Sequence, residues 1–334
     1  MQPFEFASPK TREQVVRLLG TDPGRATVLA GGSDLLGLMK DGIETPGRVV
    51  YLKEVGGLMG VRTEKSGGLR IGALTTIDDL SADPALGFEY PALTAAAGRV
   101  AGPQIRNVAT LGGNLLQRPR CWYFRNGFGL LAQRDGKSMV TAGDNRYHAI
   151  LGNDGPAYFV QPSTLAPLLV ALGAQAVLFG PQGERRLELE KLYRTPQKEG
   201  EREHDLKPGE VLTEVLLPPA AGRRMATYEV RQRGTLDWSL ATAAVALEMN
   251  GGQSGQIGRA RVVLGQVAPV PWAAAEAEEF LKGKSLDAEV AAKAGEAAVA
   301  KAKALSHNKY KIQLARVAVK RALLAAAGIM EEGA

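Results

Sequence analysis

Two short glycine turns constrain this chain more than any other feature. The first, Leu29-Ala30-Gly31-Gly32-Ser33-Asp34, joins a short strand, Thr27 to Ala30, to a short helix, Leu35 to Lys40. The second, Thr110-Leu111-Gly112-Gly113-Asn114, follows a helical stretch from Pro91 to Val100. Glycine adopts backbone conformations that other residues avoid and lets a neighbouring group come close. Successive N–H groups in such a turn form a concave site for an anion. One double glycine after a strand is an ordinary turn. Two such turns, with Thr110 and Asn114 adding polar groups, could grip one pyrophosphate from both sides. A dinucleotide is the ligand that best explains them.

The rest of the chain divides around these turns. Ser8-Pro9 reads as the start of the first helix, with Val15, Val16, Leu18 and Leu19 on its apolar side and Gly20 as its stop. Arg48 to Leu52 completes a strand–helix–strand unit. Val61 to Arg62 and Leu69 to Ile71 read as a hairpin across Gly67-Gly68, and Thr76 to Leu80 as a helix. Cys121 to Val160 has weak periodicity and reads as a long loop or insertion, which is uncommon unless functional. Thr164 to Leu172 reads as a helix, Gln175 to Phe179 and Glu210 to Leu217 as strands, and Pro218 to Gly222 as a linker. Beyond it come three strands, Ala226 to Arg233, Leu240 to Met249 and Arg259 to Val267. Three helices follow, Trp272 to Leu281, Ala288 to Leu305 and Ile312 to Ala327. Strands first and helices last describe an α+β domain, a sheet backed by helices.

At 334 residues, 45% hydrophobic and 23% charged, the chain has room for two or three domains with a sizeable core. The net charge is +6, but the basic residues are dispersed. Their densest group, Arg118, Arg120 and Arg125 around Cys121, Trp122, Tyr123 and Phe124, reads as a docking surface or a loop folded onto the protein. No further motif supports nucleic acid as a partner. The single cysteine rules out an intrachain disulfide and a thiolate-only metal site. Met1 to Lys10 lacks the basic and apolar regions of a signal peptide. No apolar run reaches the ~18 residues of a membrane span. The expected location is the cytoplasm; export bound to a signal-bearing partner is compatible with this reading.

Other patterns carry less. Gly127-Phe128-Gly129-Leu130-Leu131-Ala132 matches a relaxed Rossmann fingerprint, but Gln133 to Gly136 reads as a turn, not the required helix. Gly136-Lys137-Ser138 and Gly283-Lys284-Ser285 resemble the end of a P-loop, but the earlier glycine is Leu131 in one and Glu278 in the other. His148, His204 and His307 show no metal spacing. His204, among charges, reads as a surface residue, and His307 as a cap for the helix after it. Trp238 and Trp272 read as core or interface residues. No nucleophile–base pair stands out, so no catalytic residue and no metal ligand is assigned.

Taken together, the motifs resemble the FAD-binding subunit of the xanthine dehydrogenase and carbon monoxide dehydrogenase family, nearest to the flavin subunits of aldehyde oxidoreductases. The resemblance runs through Leu29 to Asp34, Ile71-Gly72-Ala73-Leu74-Thr75-Thr76, Gln104 to Leu115, Pro162-Ser163-Thr164-Leu165-Ala166-Pro167, Arg231-Gln232-Arg233-Gly234 and Tyr310 to Leu323. It implies a two-lobed FAD-binding domain of the vanillyl-alcohol-oxidase/PCMH type, lobes 1–55 and 56–220 with an insertion at 118–160, then an α+β domain at 221–330. It implies FAD contacts at Leu29, Ala30, Gly31, Gly32, Ser33, Asp34, Thr110, Gly112, Gly113, Asn114 and Gln117. It implies two partners, a large molybdenum-cofactor subunit and a small subunit with two [2Fe-2S] clusters. The chain would pass electrons from those clusters through FAD to an acceptor that could be NAD, a quinone, ferredoxin or oxygen. Substrate chemistry would belong to the molybdenum subunit.

The chain departs from that pattern twice. Many members carry an aspartate shortly after the position of Asn114; here Gln117-Arg118-Pro119-Arg120-Cys121 follows. Aldehyde oxidoreductase flavin subunits also ligate a four-iron cluster through four cysteines in the insertion. Cys121 stands at the first of those positions, Gly127 to Met139 has no cysteine, and Ala157 stands near the last. A four-iron cluster needs four thiolates. The expectation is a relic insertion held by packing and hydrogen bonds, with Cys121 a buried small hydrophobe. Two other readings differ in class. A stand-alone flavin oxidase would need a base or a covalent attachment point. A cofactor-free assembly subunit would not need the glycine turns.

Overall fold

The computed structural model describes residues 1–232, 237–251 and 255–329. Arg233 and Gly234, which end an expected strand and a matched motif, lie outside the described residues, as does Met330. The chain folds as mixed helix and strand around three main sheets.

The first sheet comes from Glu5–Ala7 (β1), Arg12–Leu19 (α1), Ala26–Leu29 (β2), Leu35–Lys40 (α2) and Arg48–Tyr51 (β3). Both strand pairs are parallel, in the order β1-β3-β2, so the expected strand–helix–strand unit carries one further edge strand. α1 does not begin at Ser8-Pro9. Thr11 caps it, and Thr11 and Gln14 exchange side-chain and backbone hydrogen bonds, each at 3.2 Å. That reciprocal box satisfies two orphan donors, which Ser8-Pro9 cannot do. Val15 from α1 and Val50 from β3 pack with Leu58, Leu74 and Val211, joining this sheet to the next.

Val61–Thr63 (β4) and Leu69–Gly72 (β5) form the expected hairpin. The helices Ile77–Ala82 (α3), Pro84–Glu89 (α4), Pro91–Gly98 (α5), Pro103–Arg106 (α6) and Leu111–Leu115 (α7) follow. The stretch expected as a loop then contains Trp122–Arg125 (α8), a two-residue hairpin of Gln133–Arg134 (β6) and Lys137–Ser138 (β7), and Met139–Ala142 (α9). Ala166–Ala171 (α10), Gln175–Gly180 (β8), Gly183–Glu188 (β9) and Val211–Leu217 (β10) complete an antiparallel sheet in the order β4-β5-β10-β8-β9.

Arg224–Val230 (β11), Ala241–Asn250 (β12), Gln256–Gly265 (β13) and Trp272–Ala273 (β14) form the third, antiparallel sheet, which Ala275–Leu281 (α11), Ala288–Ala298 (α12) and Tyr310–Ala327 (α13) back. β12 is buried on both faces. Ala243, Val245 and Leu247 meet the helices, while Ala244 and Ala246 join the core of the second sheet. Its unbroken apolar run follows from that position.

Two expected helices are shorter than their pattern. Trp272 pairs with Leu264 across β14, so helix starts only at Ala275. α12 ends at Ala298 because the next segment is drawn into tertiary bonds: Lys303 N donates to Ile150 O (2.7 Å), and Asn153 Nδ2 donates to Lys303 O (2.9 Å). Among the described residues no helix is long and apolar enough to cross a membrane.

Candidate functional site

The first glycine turn keeps the chemistry its sequence suggests. Gly32 takes φ +73°, a left-handed conformation suited to glycine. Among the described residues, no hydrogen bond within the chain engages the N–H groups of Gly31, Gly32, Ser33 or Asp34. Ser33 is exposed, and Leu29, Ala30 and both glycines are half-buried. Asp34 precedes α2 but does not cap it. Its carboxylate instead accepts from Arg118 N (2.7 Å) and Arg125 Nη2 (2.8 Å) and pairs with Arg120 at 3.0 Å.

The second turn departs from expectation. Its N–H groups are already used: Leu111 donates to Thr75 O (2.9 Å), Gly112 to Ala73 O (2.8 Å), Gly113 to Thr110 Oγ1 (3.1 Å) and Asn114 to Thr110 O (2.8 Å). A second nest of free donors is therefore not formed. The turn lies behind the first as a support. A Cβ at Gly31 would stand 2.1 Å from Val108 O and 2.9 Å from Ala109 Cα, so the chain entering the second turn packs directly against the first. Asn114 is buried, and its Oδ1 accepts from Ser163 Oγ (2.6 Å) and Leu165 N (3.4 Å). Gln117 Nε2 donates to Asn114 O (3.0 Å), while its Oε1 accepts from Arg120 Nη2 (3.0 Å) and Trp238 Nε1 (3.4 Å).

Sequence reasoning missed the apolar surface around the first turn. Leu36, Ile105 and Val108 are exposed. Leu36 Cδ1 lies 3.0 Å from where a Gly32 Cβ would be. It also missed a cavity of about 260 Å³ between the insertion and the third sheet. Trp122, Tyr147, Phe159, Pro162, Trp238 and Leu240 give it an apolar, aromatic wall. Trp238 is thus a half-exposed rim residue, not core. No local pattern marks these positions, because distant segments meet there.

The arginines of the insertion are spent inside the chain. The Arg118 guanidinium pairs with Glu44 and, at 2.5 Å, with buried Glu203. His204, expected on the surface, is buried beside them, and burial pushes its imidazole down to about 4. His307 does not cap the last helix, whose N-cap is Lys309; its N–H donates to Asn145 Oδ1 (2.9 Å).

Cys121 is half-buried, not fully buried, with Sγ 3.1 Å from His148 Nε2. Burial pushes the thiol up to about 11 and the imidazole down to about 4, so the pair is neutral at pH 7. Leu131, Ala157 and Phe159 form a small apolar cluster against Cys121 and Leu130. Lys311 is buried, and its Nζ donates to the carbonyls of Tyr147 (3.2 Å), His148 (3.2 Å) and Gln266 (2.7 Å), fastening the insertion to the third sheet.

A turn of free donors flanked by exposed apolar side chains, beside an aromatic cavity, fits a dinucleotide with a large ring. Comparison with known proteins points the same way. Residues 2–220 match the FAD binding domain in molybdopterin dehydrogenase, and residues 226–326 match the CO dehydrogenase flavoprotein C-terminal domain. The chain is 35% identical to the aldehyde oxidoreductase FAD-binding subunit PaoB of Escherichia coli, over 81% of this chain and 84% of that one. It is 30% identical to the carbon monoxide dehydrogenase medium chain of Hydrogenophaga pseudoflava, over 97% and 96%. A solved carbon monoxide dehydrogenase from Hydrogenophaga pseudoflava superposes with a TM-score of 0.76 at 30% identity, covering 98% of this chain and 99% of that one. Quinoline 2-oxidoreductase from Pseudomonas putida 86 superposes with a TM-score of 0.75 at 26% identity, covering 98% of both chains. Family, fold and turn geometry agree: this chain belongs to the FAD-binding subunits of the xanthine dehydrogenase and carbon monoxide dehydrogenase family, oxidoreductases whose cofactor is FAD.

Proposed function

We propose that this chain is the electron-relay subunit of a cytoplasmic molybdenum hydroxylase. It would take electrons from iron–sulfur clusters of a small partner and pass them through FAD to an external acceptor, while a large molybdenum subunit transforms the substrate. The observation that carries the reading is the first glycine turn, whose N–H groups from Gly31 to Asp34 meet no partner among the described residues. FAD, when bound, supplies the redox chemistry, and the protein's part is to place and tune it.

In this reading, lobes 1–55 and 56–220 close on the cofactor. Leu29, Ala30, Gly31, Gly32, Ser33 and Asp34 hold the pyrophosphate. Thr110, Gly112, Gly113, Asn114 and Gln117 back that turn and fix its distance from the cavity. Leu36, Ile105 and Val108 offer an apolar flank for the adenine ring. The cavity by Trp122 and Trp238 receives the flavin ring. The two relatives named above are an FAD-binding subunit of an aldehyde oxidoreductase and a medium chain of a carbon monoxide dehydrogenase, which supports a hetero-oligomer. The test is co-expression with a molybdenum subunit and an iron–sulfur subunit. A stable complex in which substrate reduces the flavin supports the reading. An isolated chain that oxidises an organic substrate at a useful rate refutes it.

A further inference from the structure

Arg120 is the place where the two turns and the cavity meet. One guanidinium nitrogen pairs with Asp34 of the first turn at 3.0 Å, and Nη2 donates to Gln117, which is bonded back to Asn114 of the second. Its flat group lies 4.3 Å from the ring centroid of Trp238, and the side chain lines the cavity. Its Nε is buried and makes no hydrogen bond among the described residues.

The charges paired directly with it do not cancel. Arg118 has carboxylates of its own, Glu44 and Glu203. Arg120 and Arg125 share the single carboxylate of Asp34, so these three groups together carry about one positive charge. The other charged groups on the cavity wall are Asp237 and Lys311, and the Lys311 ammonium is turned into three backbone carbonyls.

We propose that Arg120 is a positioning residue that also raises the reduction potential of the bound flavin. This rests on the reading that the ring enters the cavity. Reduction by two electrons, with uptake of one proton from solvent, leaves one added negative charge on the ring. The electrons come from a reduced iron–sulfur partner or, in the test, from dithionite. A guanidinium on the wall of the cavity favours that added charge. Arg125 pairs with Asp34 but does not line the cavity, so it acts on the pyrophosphate end alone.

The test is to measure Kd separately for oxidised and for dithionite-reduced FAD in the full chain. The wild type is compared with Arg120→Gln, Arg120→Lys and Arg125→Gln. Separate constants keep the ratio readable even where binding is weak. In Arg120→Gln the preference for reduced over oxidised FAD should fall about tenfold, equivalent to about 30 mV for a two-electron couple. Arg120→Lys should recover most of that preference. Arg125→Gln should weaken both forms alike. An unchanged ratio in Arg120→Gln, or an equal change in Arg125→Gln, overturns the proposal. A wild-type chain that binds neither form overturns the reading beneath it instead.

Discussion

Replacing Gly31 by alanine should separate the two turns and release FAD. The added Cβ would stand 2.1 Å from Val108 O, where an ordinary carbon–oxygen contact is about 3.3 Å. The obstacle is backbone, so no side chain can rotate away, and one turn must retreat by about 1.2 Å. Forcing an extra methyl into a packed site costs about 1–3 kcal/mol. If the turns must be pushed back together to hold the pyrophosphate, FAD affinity falls by up to about a hundredfold, each ~1.4 kcal/mol being a factor of ten. Gly37→Ala is the control. Nothing lies within 4 Å of its Cβ position on α2, so it should stabilise that helix by up to about 1 kcal/mol and leave FAD binding alone. Flavin fluorescence titration gives the affinity and urea unfolding the stability. If Gly31→Ala binds FAD as tightly as the wild type, the packing of the turns does not control the site.

Three further outcomes can be checked. His148 and His204 are held neutral by burial, each pushed down to about 4, while the unfolded chain protonates near 6.5; the stability they contribute should therefore be complete above pH 7 and be lost as pH drops from about 6.5 to about 4, by on the order of 3 kcal/mol per histidine, and His204→Phe should shrink that slope in urea titrations. Lys311→Met would leave the carbonyls of Tyr147 and Gln266 without their donor, and that of His148 with Asn308 Nδ2 alone; Gln266 sits at a left-handed φ of +58°, and unfolding free energy should drop by on the order of 3 kcal/mol, with the insertion becoming open to protease first. Iron and labile sulfide analysis of the purified chain should find no stoichiometric cluster, and Cys121→Ser should leave its spectrum unchanged; cluster iron that disappears in Cys121→Ser would contradict the relic reading.

The parts legible in the sequence were those set by local backbone chemistry. Gly31-Gly32 between a strand and a helix announced itself because the turn needs glycine whatever surrounds it. The strands of the third sheet were legible because β12 must be apolar on both faces. The capping of α1 was legible in principle, since Thr11-x-x-Gln14 is a capping box, but Ser8-Pro9 offered a competing start. The second turn was misread because two of its donors are taken by Ala73 and Thr75, partners supplied by tertiary folding, and the other two by Thr110 within the turn itself. His204 has charged neighbours in sequence, yet it is buried beside Arg118 and Tyr193, which the fold brings to it. The cavity was out of reach for the same reason: Arg120, Tyr147, Trp238 and Lys311 have no sequence relation, and packing alone assembles them.

The central claim is that electrons pass through FAD on this chain and that substrate chemistry happens elsewhere. It is tested most directly by adding the enzyme's organic substrate, without oxygen, to the three-subunit complex carrying either the wild-type chain or a Gly31→Ala chain freed of its weakened FAD by dialysis. The expected result is bleaching of the iron–sulfur absorption in both, with onward reduction of an added acceptor only in the wild type. Equal acceptor reduction by the flavin-free complex would contradict the relay.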